Sequence, residues 1–310
     1  MALCVFDLDN TLGDFGAIDF FGMIFEPKCL LGYPNITPDK AKILKNEIEA
    51  YDENTKKHLI TLRDTFEKTI AEDGFNDYIL RPKLKDILTP LVKEYKKGNI
   101  NGFIIYSNNA NMYALTYAGR AIQHMFNAPD LFIKYIDRMN DIRDDYDKND
   151  PNGYRVKTVA TIKKLYPYIE NKKILFVDDV IHPDFVQNDV TYLHIPRFIS
   201  NVNDQILQDI WKEFRLVFDS MPDFHNTFFN LYHIKNYLQY TSIENIRNAY
   251  MKYSTTHQNT EEIFEDNLSM IKSIISGFTN SLNKKGGKRK SRRFKTTRKR
   301  AHKRKYALDE

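Results

Sequence analysis

Two aspartates stand two positions apart near the start of the chain, in the stretch LCVFDLDNTLGDF at residues 3–15. Asp7 and Asp9 follow four apolar residues, a run typical of a strand buried on both faces of a parallel sheet. Carboxylates at the carboxyl end of such a strand lie where open α/β sheets bind ligands. Because like charges this close repel each other, a divalent metal or a hydrogen-bond network must offset the repulsion.

Two simpler interpretations compete for this stretch. A calcium loop also begins D-x-D, but it needs Gly at position six and an acid at position twelve, where this chain has Leu12 and Ile18. The pattern therefore excludes a calcium loop. An ordinary strand end with solvated acids stays open on this stretch alone, so the polar residues further along the chain must decide.

Four more polar residues stand where chemistry could occur. Ser107 follows a second apolar run, Asp178 and Asp179 follow a third, and Lys157 lies near the start of a predicted helix. Each of these positions is unremarkable by itself. Because the carboxyl ends of parallel strands meet at one edge of the sheet, we expect the strand-end residues to lie close to Asp7 and Asp9.

The elements that must position these residues alternate between strand and helix. This order predicts an α/β, Rossmann-like fold with a mostly parallel sheet and helices on both faces. Four strands are predicted, at 3–6, 103–106, 174–177 and 190–195. The stretch from Thr37 to Gly74 reads as helix, with Thr37 as N-cap and Pro38 at the first helical position.

The pattern divides the chain into three parts. Residues 1–200 form the core, residues 201–283 a helical extension, and residues 284–310 a disordered basic tail. Within the core, residues 14–78 form a helical insert after the first strand that could act as a small cap. Apolar residues over 264–282 repeat at heptad steps; we favour packing on the chain's own domain, and a coiled-coil dimer stays open.

The ordered set of D-L-D-N-T at 7–11, Ser107, Lys157 and Asp178-Asp179 resembles the haloacid dehalogenase superfamily of aspartate-nucleophile phosphatases. LRPKLKDIL, IIYSNNANMYA, GYRVKTV and LFVDDVIHPDF are similar to one branch of it, the phosphatases of the RNA polymerase II C-terminal domain, also described as NLI-interacting factor-like. The resemblance covers about residues 3–200 with a gap over the insert. Asn10 departs from the branch, which has Glu there.

The resemblance implies a Mg²⁺-dependent phosphatase that works through an aspartyl-phosphate intermediate. In it, Asp7 is the nucleophile and Asp9 the general acid and base. Ser107 donates a hydrogen bond to the phosphoryl group, and Lys157 supplies positive charge to the same group.

The resemblance also implies a metal site. Mg²⁺ would be held by Asp7, by the backbone carbonyl of Asp9, and by Asp178 or Asp179, with the choice between the last two left open.

Four side chains in and around these motifs have alternative interpretations. Lys163 or Lys164 could take the role given to Lys157. Arg81 could bind substrate, but a structural role is favoured. His182, before Pro183, is interpreted as a loop residue, because a metal role has little support.

Net charge conceals two unlike regions. The chain carries +5 overall, yet residues 284–305 hold 14 Lys and Arg and no acid, which leaves 32 basic against 41 acidic residues elsewhere, or −9. Such a tail predicts salt-dependent binding to nucleic acid, or nuclear import. The GGKRKSRR ending on a chain rich in Asn, Lys, Ile and Tyr also resembles proteins of large DNA viruses of eukaryotes.

Composition limits the setting in which the protein works. No apolar run approaches the roughly 20 residues of a membrane span, so we expect no membrane partner. The two cysteines, Cys4 and Cys29, cannot form a disulfide framework and favour a reducing compartment. We therefore expect an intracellular protein of cytoplasm or nucleus, in a host cell or virion if the chain is viral.

Three functions remain at this stage. The favoured one is a phosphatase that acts on phosphoserine or phosphothreonine in a protein, as the branch implies. A nucleotide, a polynucleotide end or a small metabolite is the alternative substrate. A phosphatase-like protein that binds nucleic acid and has little or no catalysis is the third.

Overall fold

A computed structural model describes residues 1–33, 36–72, 75–143, 156–200, 204–255 and 261–283. The tail at 284–310, which the sequence predicts to be disordered, lies outside the described residues. No helix in the described ranges is both long enough and apolar enough to cross a membrane.

Five strands form one sheet in which every neighbouring pair is parallel. They are β1 (Ala2–Phe6), β2 (Ile100–Tyr106), β3 (Phe132–Ile136), β4 (Ile174–Asp178) and β5 (Thr191–His194), in the spatial order β3-β2-β1-β4-β5. The predicted α/β class and its parallel sheet are confirmed. Strand β3 is the one that sequence reasoning missed; three of its five residues are only half-buried, so it lacks the continuous apolar run of the others.

The register brings the ends of the central strands level. Phe6 of β1 pairs with Ile105 of β2 and with Val177 of β4. The Asp7 backbone N–H continues the ladder by donating to the Val177 carbonyl at 2.9 Å. The residues that follow these strands therefore leave the sheet side by side.

Helices cover both faces of the sheet. Their bounds are α1 (Gly16–Phe25), α2 (Pro38–Glu49), α3 (Glu53–Glu72), α4 (Phe75–Ile79), α5 (Leu84–Lys96), α6 (Met112–Phe126), α7 (Val159–Leu165), α8 (Pro183–Gln187), α9 (Asp204–Asp219), α10 (Pro222–Asn230), α11 (Ile243–Thr255) and α12 (Glu261–Asn283). Short 3₁₀ turns at Pro27–Gly32 and Asn171–Lys173 and a π turn at His233–Tyr237 complete the described elements.

Alternation along β1 separates two cores. Cys4 and Phe6 face the larger one, which contains the insert, α5, α6 and the C-terminal helices. Leu3 and Val5 face the smaller one, which α7 and α8 cover. This two-sided burial explains why the strand reads as a continuous apolar run instead of an alternating one.

The long helix predicted in the insert is two helices. Thr37 does cap the first, since its Oγ1 accepts from the Lys40 backbone N–H at 3.4 Å. The chain then leaves the helix at Ala50, and Asp52 Oδ1 accepts from the Thr55 N–H at 2.6 Å to start α3. A second capping side chain inside the stretch thus breaks what the periodicity reads as one helix.

The heptad stripe near the C-terminus packs on its own chain. Helix α12 lies against α5, with Ile271 and Ile275 fully buried and Lys272 Nζ 3.4 Å from Asp86 Oδ2. This is the packing that the sequence favoured over a coiled-coil dimer.

Candidate active site

Four charged or polar side chains meet at the carboxyl edge of the sheet. Asp7 follows β1, Ser107 follows β2, Asp178 ends β4, and Lys157 stands just before α7. Thr158, the N-cap of α7, accepts from the Thr161 N–H at 3.2 Å and so fixes the chain direction beside Lys157. All four side chains are buried.

Lys157 joins the two acids. Its ammonium donates to Asp7 Oδ1, and to Asp178 Oδ2 at 2.7 Å. Burial favours the neutral amine, but the two carboxylates outweigh it and raise the pKa of Lys157 above its usual value. The alternatives Lys163 and Lys164 are exposed on α7, so the structure places Lys157 in this position.

Burial dominates the two acids of the first motif. It raises the pKa of Asp7 to about 7, although Lys157 opposes the shift. It also raises the pKa of Asp9 well above the usual value, and the charges of Asp7 and Asp19 add to the rise. A raised pKa favours the protonated form of the carboxyl group, which is the form that a general acid needs.

Three carboxylates are arranged as metal ligands. Asp7, Asp178 and Asp179 each place one oxygen within 4.8 Å of the others. Carboxylate oxygens in this number suit Mg²⁺, which binds a few hard oxygen donors and completes its shell with water and phosphate. The donor set therefore fits the metal that the resemblance implies. The Asp9 side chain is not one of the three; its Oδ2 accepts from Asn109 Nδ2 at 3.1 Å.

Asp178 and Asp179, which are adjacent in the sequence, have different hydrogen-bond partners. Asp178 accepts hydrogen bonds from Lys157 and from the Val180 N–H at 2.8 Å, and His182 Nε2 lies 3.2 Å from its Oδ2. Burial alone would raise the pKa of Asp178, but Lys157 and His182 bring it below the usual value. The side chain of Asp179 has contacts of 3.2 Å and 3.3 Å, which are longer than the hydrogen bonds that Asp178 accepts from Lys157 and Val180.

The contacts of Asp179 come from two side chains. Thr11 Oγ1 donates to its Oδ1 at 3.2 Å, and Arg197 Nε lies 3.3 Å from its Oδ2. Asp179 therefore has more capacity than Asp178 to coordinate an ion.

The loop after β2 is built by asparagine caps. The Ser107 hydroxyl oxygen accepts from the Asn109 N–H at 3.1 Å, which leaves the hydroxyl proton available for donation. Asn109 Oδ1 in turn accepts from the Asn111 N–H at 2.7 Å, and Asn111 caps α6 by accepting from the Tyr113 N–H at 3.1 Å. The S-N-N-A-N sequence thus makes its own turn.

The loop after β1 is held by a buried arginine. Asn10 adopts the left-handed conformation at φ 61°, which Asn tolerates better than most residues. Arg81 donates to the carbonyls of Asn10, of Thr11 at 2.7 Å and of Pro196 at 2.6 Å. Arg81 is 2% exposed and does not line the cavity above Asp7 and Lys157, which agrees with the structural role that the sequence favours.

A cavity of about 350 Å³ opens over the cluster. Besides the sequence-predicted residues Asp7, Asp9, Ser107, Lys157, Asp178 and Asp179, its walls include Asp19, Tyr33, Asn108, Arg138, His182 and Arg197. A second cavity of about 270 Å³ shares Asp9 and Asn109 with it and adds Asp14. Since Asp19 and Tyr33 belong to the insert, the insert supplies part of the wall.

Sequence reasoning missed several of these wall residues. Arg138 stands two residues after the end of β3, so a search for polar residues near strand ends would have found it had β3 been recognised. His182 lies in the loop before α8, as the sequence predicts, but its contact with Asp178 was not foreseen: its Nε2 lies 3.2 Å from Asp178 Oδ2. Asp19 and Tyr33 carried no signal, because only the packing of α1 and the 3₁₀ turn brings them to the sheet edge.

No protein-family model matches the sequence, and no curated protein is similar to it at a significant level. Among solved structures, the chain is similar to a haloacid dehalogenase-like family hydrolase from Streptococcus pneumoniae. The two share 13% identity over 68% of this chain and 90% of that chain, with a TM-score of 0.29. Because the identity and the TM-score are both low, this similarity assigns no function to the chain.

Proposed function

We propose that this protein is a Mg²⁺-dependent phosphomonoester hydrolase of the haloacid dehalogenase superfamily, acting through an aspartyl-phosphate. The observation that carries the proposal is the buried ammonium of Lys157 between Asp7 and Asp178, with Asp179 beside them. A structural ion pair needs no third acid and no adjoining cavity. A site that binds a metal and a phosphate dianion needs both.

The four side chains divide the steps of the reaction among them. Asp7 attacks phosphorus and becomes the acyl phosphate. Asp9 enters with its proton, gives it to the leaving oxygen, and then takes a proton from the attacking water. Ser107 donates its hydroxyl proton to a phosphoryl oxygen, and Lys157 holds Asp7 in place and supplies positive charge.

Mg²⁺, held by Asp7, Asp179 and the backbone carbonyl of Asp9, would offset the repulsion between the carboxylates and the phosphate. The contacts of Asp178 with Lys157 and His182 favour Asp179 as the direct ligand. Asp178 then keeps the ammonium oriented toward Asp7.

The decisive experiment is hydrolysis of an aryl phosphate, with and without Mg²⁺, by the wild type and by Asp7→Asn. We expect metal-dependent turnover that falls roughly 10³-fold or more in the variant, because the covalent route is closed. Asp39→Asn is the matched control, since Asp39 is exposed and lines neither cavity. Equal turnover in wild type and Asp7→Asn would refute the assignment of Asp7 as nucleophile.

For the substrate we propose phosphoserine or phosphothreonine in a protein. Three acids, Asp9, Asp14 and Asp19, line the second cavity. Among the described residues, Arg197 is the one cation in its lining. This lining disfavours a leaving group with further negative charge, such as a nucleotide. A phosphoserine peptide should therefore show a higher kcat/KM than a nucleoside diphosphate or polynucleotide end, and the reverse order would favour the nucleotide alternative.

The second candidate is a nucleic-acid-binding protein with weak or absent catalysis. Its support is the run of 14 cations at 284–305. Folded wild-type protein with no turnover of any ester, together with salt-dependent binding of DNA or RNA, would favour this candidate.

A further inference from the structure

We propose that Asn108 is a further phosphoryl-binding residue and that Arg143 is the positioning residue that turns its amide toward the phosphate. This inference rests on the proposed function, since it needs a phosphate group beside Ser107. Asn108 follows Ser107 directly and lines the catalytic cavity.

Hydrogen-bond chemistry fixes which end of the Asn108 amide faces Arg143 and which end stays available to a ligand in the cavity that Asn108 lines. Arg143 Nη2 lies 2.7 Å from Asn108 Oδ1. A guanidinium has donors only, so the atom that faces it must be the amide oxygen. The opposite end, Nδ2 with its two protons, forms no hydrogen bond with any residue in the described ranges.

Arg143 is itself held rigidly enough to enforce that orientation. It is 3% exposed, and its Nη1 donates to the Ser107 carbonyl at 2.8 Å and lies 3.3 Å from the Asp137 carbonyl. Its guanidinium also stacks over the Tyr106 ring at 4.9 Å. The planar guanidinium of Arg143 therefore binds both the backbone of the loop after β2 and the side chain of Asn108.

The result is a pair of neighbouring donors in one loop. Ser107 and Asn108 both line the same cavity, and each keeps donor protons that the hydrogen bonds described above do not use. Hydrogen bonds to a charged group are stronger than those between neutral groups, so the amide should contribute measurably to the binding of phosphate.

Two substitutions of Asn108 test the donor role, with inorganic phosphate as the probe. Asn108→Ala removes the donor, whereas Asn108→Asp keeps an oxygen for Arg143 but replaces the donor with a second oxygen. We expect the inhibition constant for phosphate against aryl phosphate hydrolysis to rise about tenfold in Asn108→Ala. In Asn108→Asp it should rise at least about tenfold further, because the added charge repels the anion.

A purely structural role for Asn108 gives the opposite order. Asp would then pair with Arg143 at least as well as Asn does, so Asn108→Asp would match the wild type and only Asn108→Ala would weaken phosphate binding. That order, or no change in either variant, would overturn the proposal. Asn46→Ala is the matched control, because Asn46 is exposed on α2 and lines neither cavity.

A double-variant cycle tests the positioning role of Arg143. Arg143→Lys keeps the charge but loses the fork, and should weaken phosphate binding about threefold or more on its own. In the Asn108→Ala background it should weaken binding less than it does in the wild type, since the amide that it orients is gone and only its other contacts, such as the one with the Ser107 carbonyl, are left to lose. Full additivity would show that Arg143 does not act through Asn108. Arg143→Gln replaces the lysine variant if that variant does not fold.

Failure of this inference is distinguishable from failure of the proposed function. If wild-type protein neither hydrolyses the aryl ester nor binds phosphate, measured directly by calorimetry with Mg²⁺, the proposed function fails. If it does both and the Asn108 variants behave as wild type, only the inference fails.

Discussion

Two buried regions of this protein are built from opposite kinds of side chain. At the carboxyl edge of the sheet, Asp7, Lys157 and Asp178 are charged groups with almost no exposure. Where the insert meets the C-terminal helices, rings pack instead: the Phe21 centroid lies 4.3 Å from that of Phe66 and 5.4 Å from that of Phe214.

We expect the charged region to govern reactivity and the aromatic region to govern stability. Burying charge costs free energy, and it is also what shifts the pKa values that catalysis uses. Burying aromatic rings contributes free energy and has no such chemical effect. The helical layer therefore stabilises a fold whose charged sheet edge, the proposed active site, is costly to bury. Substitutions in the two regions should affect different measurements.

Asp7→Asn should show the largest effect of any change discussed, and on activity alone. Turnover should be lost, while the free energy of unfolding without metal should stay equal or rise. The reason is that Asp7 is a desolvated carboxylate repelled by Asp178 and Asp179. Thermal unfolding of both proteins checks this; a loss of more than about 2 kcal/mol would mean that the charged cluster stabilises the fold.

Phe66→Ala should lower stability and leave activity almost unchanged. Phe66 is 1% exposed and packs against two rings of α1, Phe21 and Phe25. We expect a loss of about 3–5 kcal/mol in the free energy of unfolding, measured with urea. Turnover per folded molecule should change less than about twofold, because Phe66 lines neither cavity. Phe66→Leu should cost less, and a large fall in turnover at constant stability would contradict the separation.

Arg81→Lys should affect both measurements at once. It removes the fork that binds three carbonyls and so leaves acceptors unpaired at Asn10 and Thr11, in the loop after β1, and at Pro196. We expect a loss of about 2–3 kcal/mol in stability together with a fall in turnover. If only stability falls, the loop after β1 holds its shape without Arg81.

Removal of residues 284–310 should have the smallest effect on the folded regions. Turnover of a small ester and the unfolding temperature should stay the same, while salt-dependent binding of DNA or RNA should be lost. Filter binding over a salt series measures this. An unchanged salt slope in the truncated protein would place the nucleic-acid contact elsewhere.

Much of the fold could be predicted because its signals are local. The apolar runs before Asp7, Ser107 and Asp178 mark strands that are buried on both faces, and parallel order then brings their ends to one edge. Thr37 could be recognised as a cap from its own neighbours. Strand β3 and the break at Ala50 were missed because half-burial and a second cap weaken the periodic signal in each stretch.

The sequence by itself determined which residues do the proposed chemistry and the order in which the chain presents them. Only the tertiary structure decided that Lys157, and neither Lys163 nor Lys164, reaches the acids, and that Arg81 and Arg143 hold the two loops. Arg81 contacts residues 71 positions away, and Arg143 contacts residues 35 positions away. Contacts over such separations depend on how layers pack, and the spacing of residues along one element does not encode that packing.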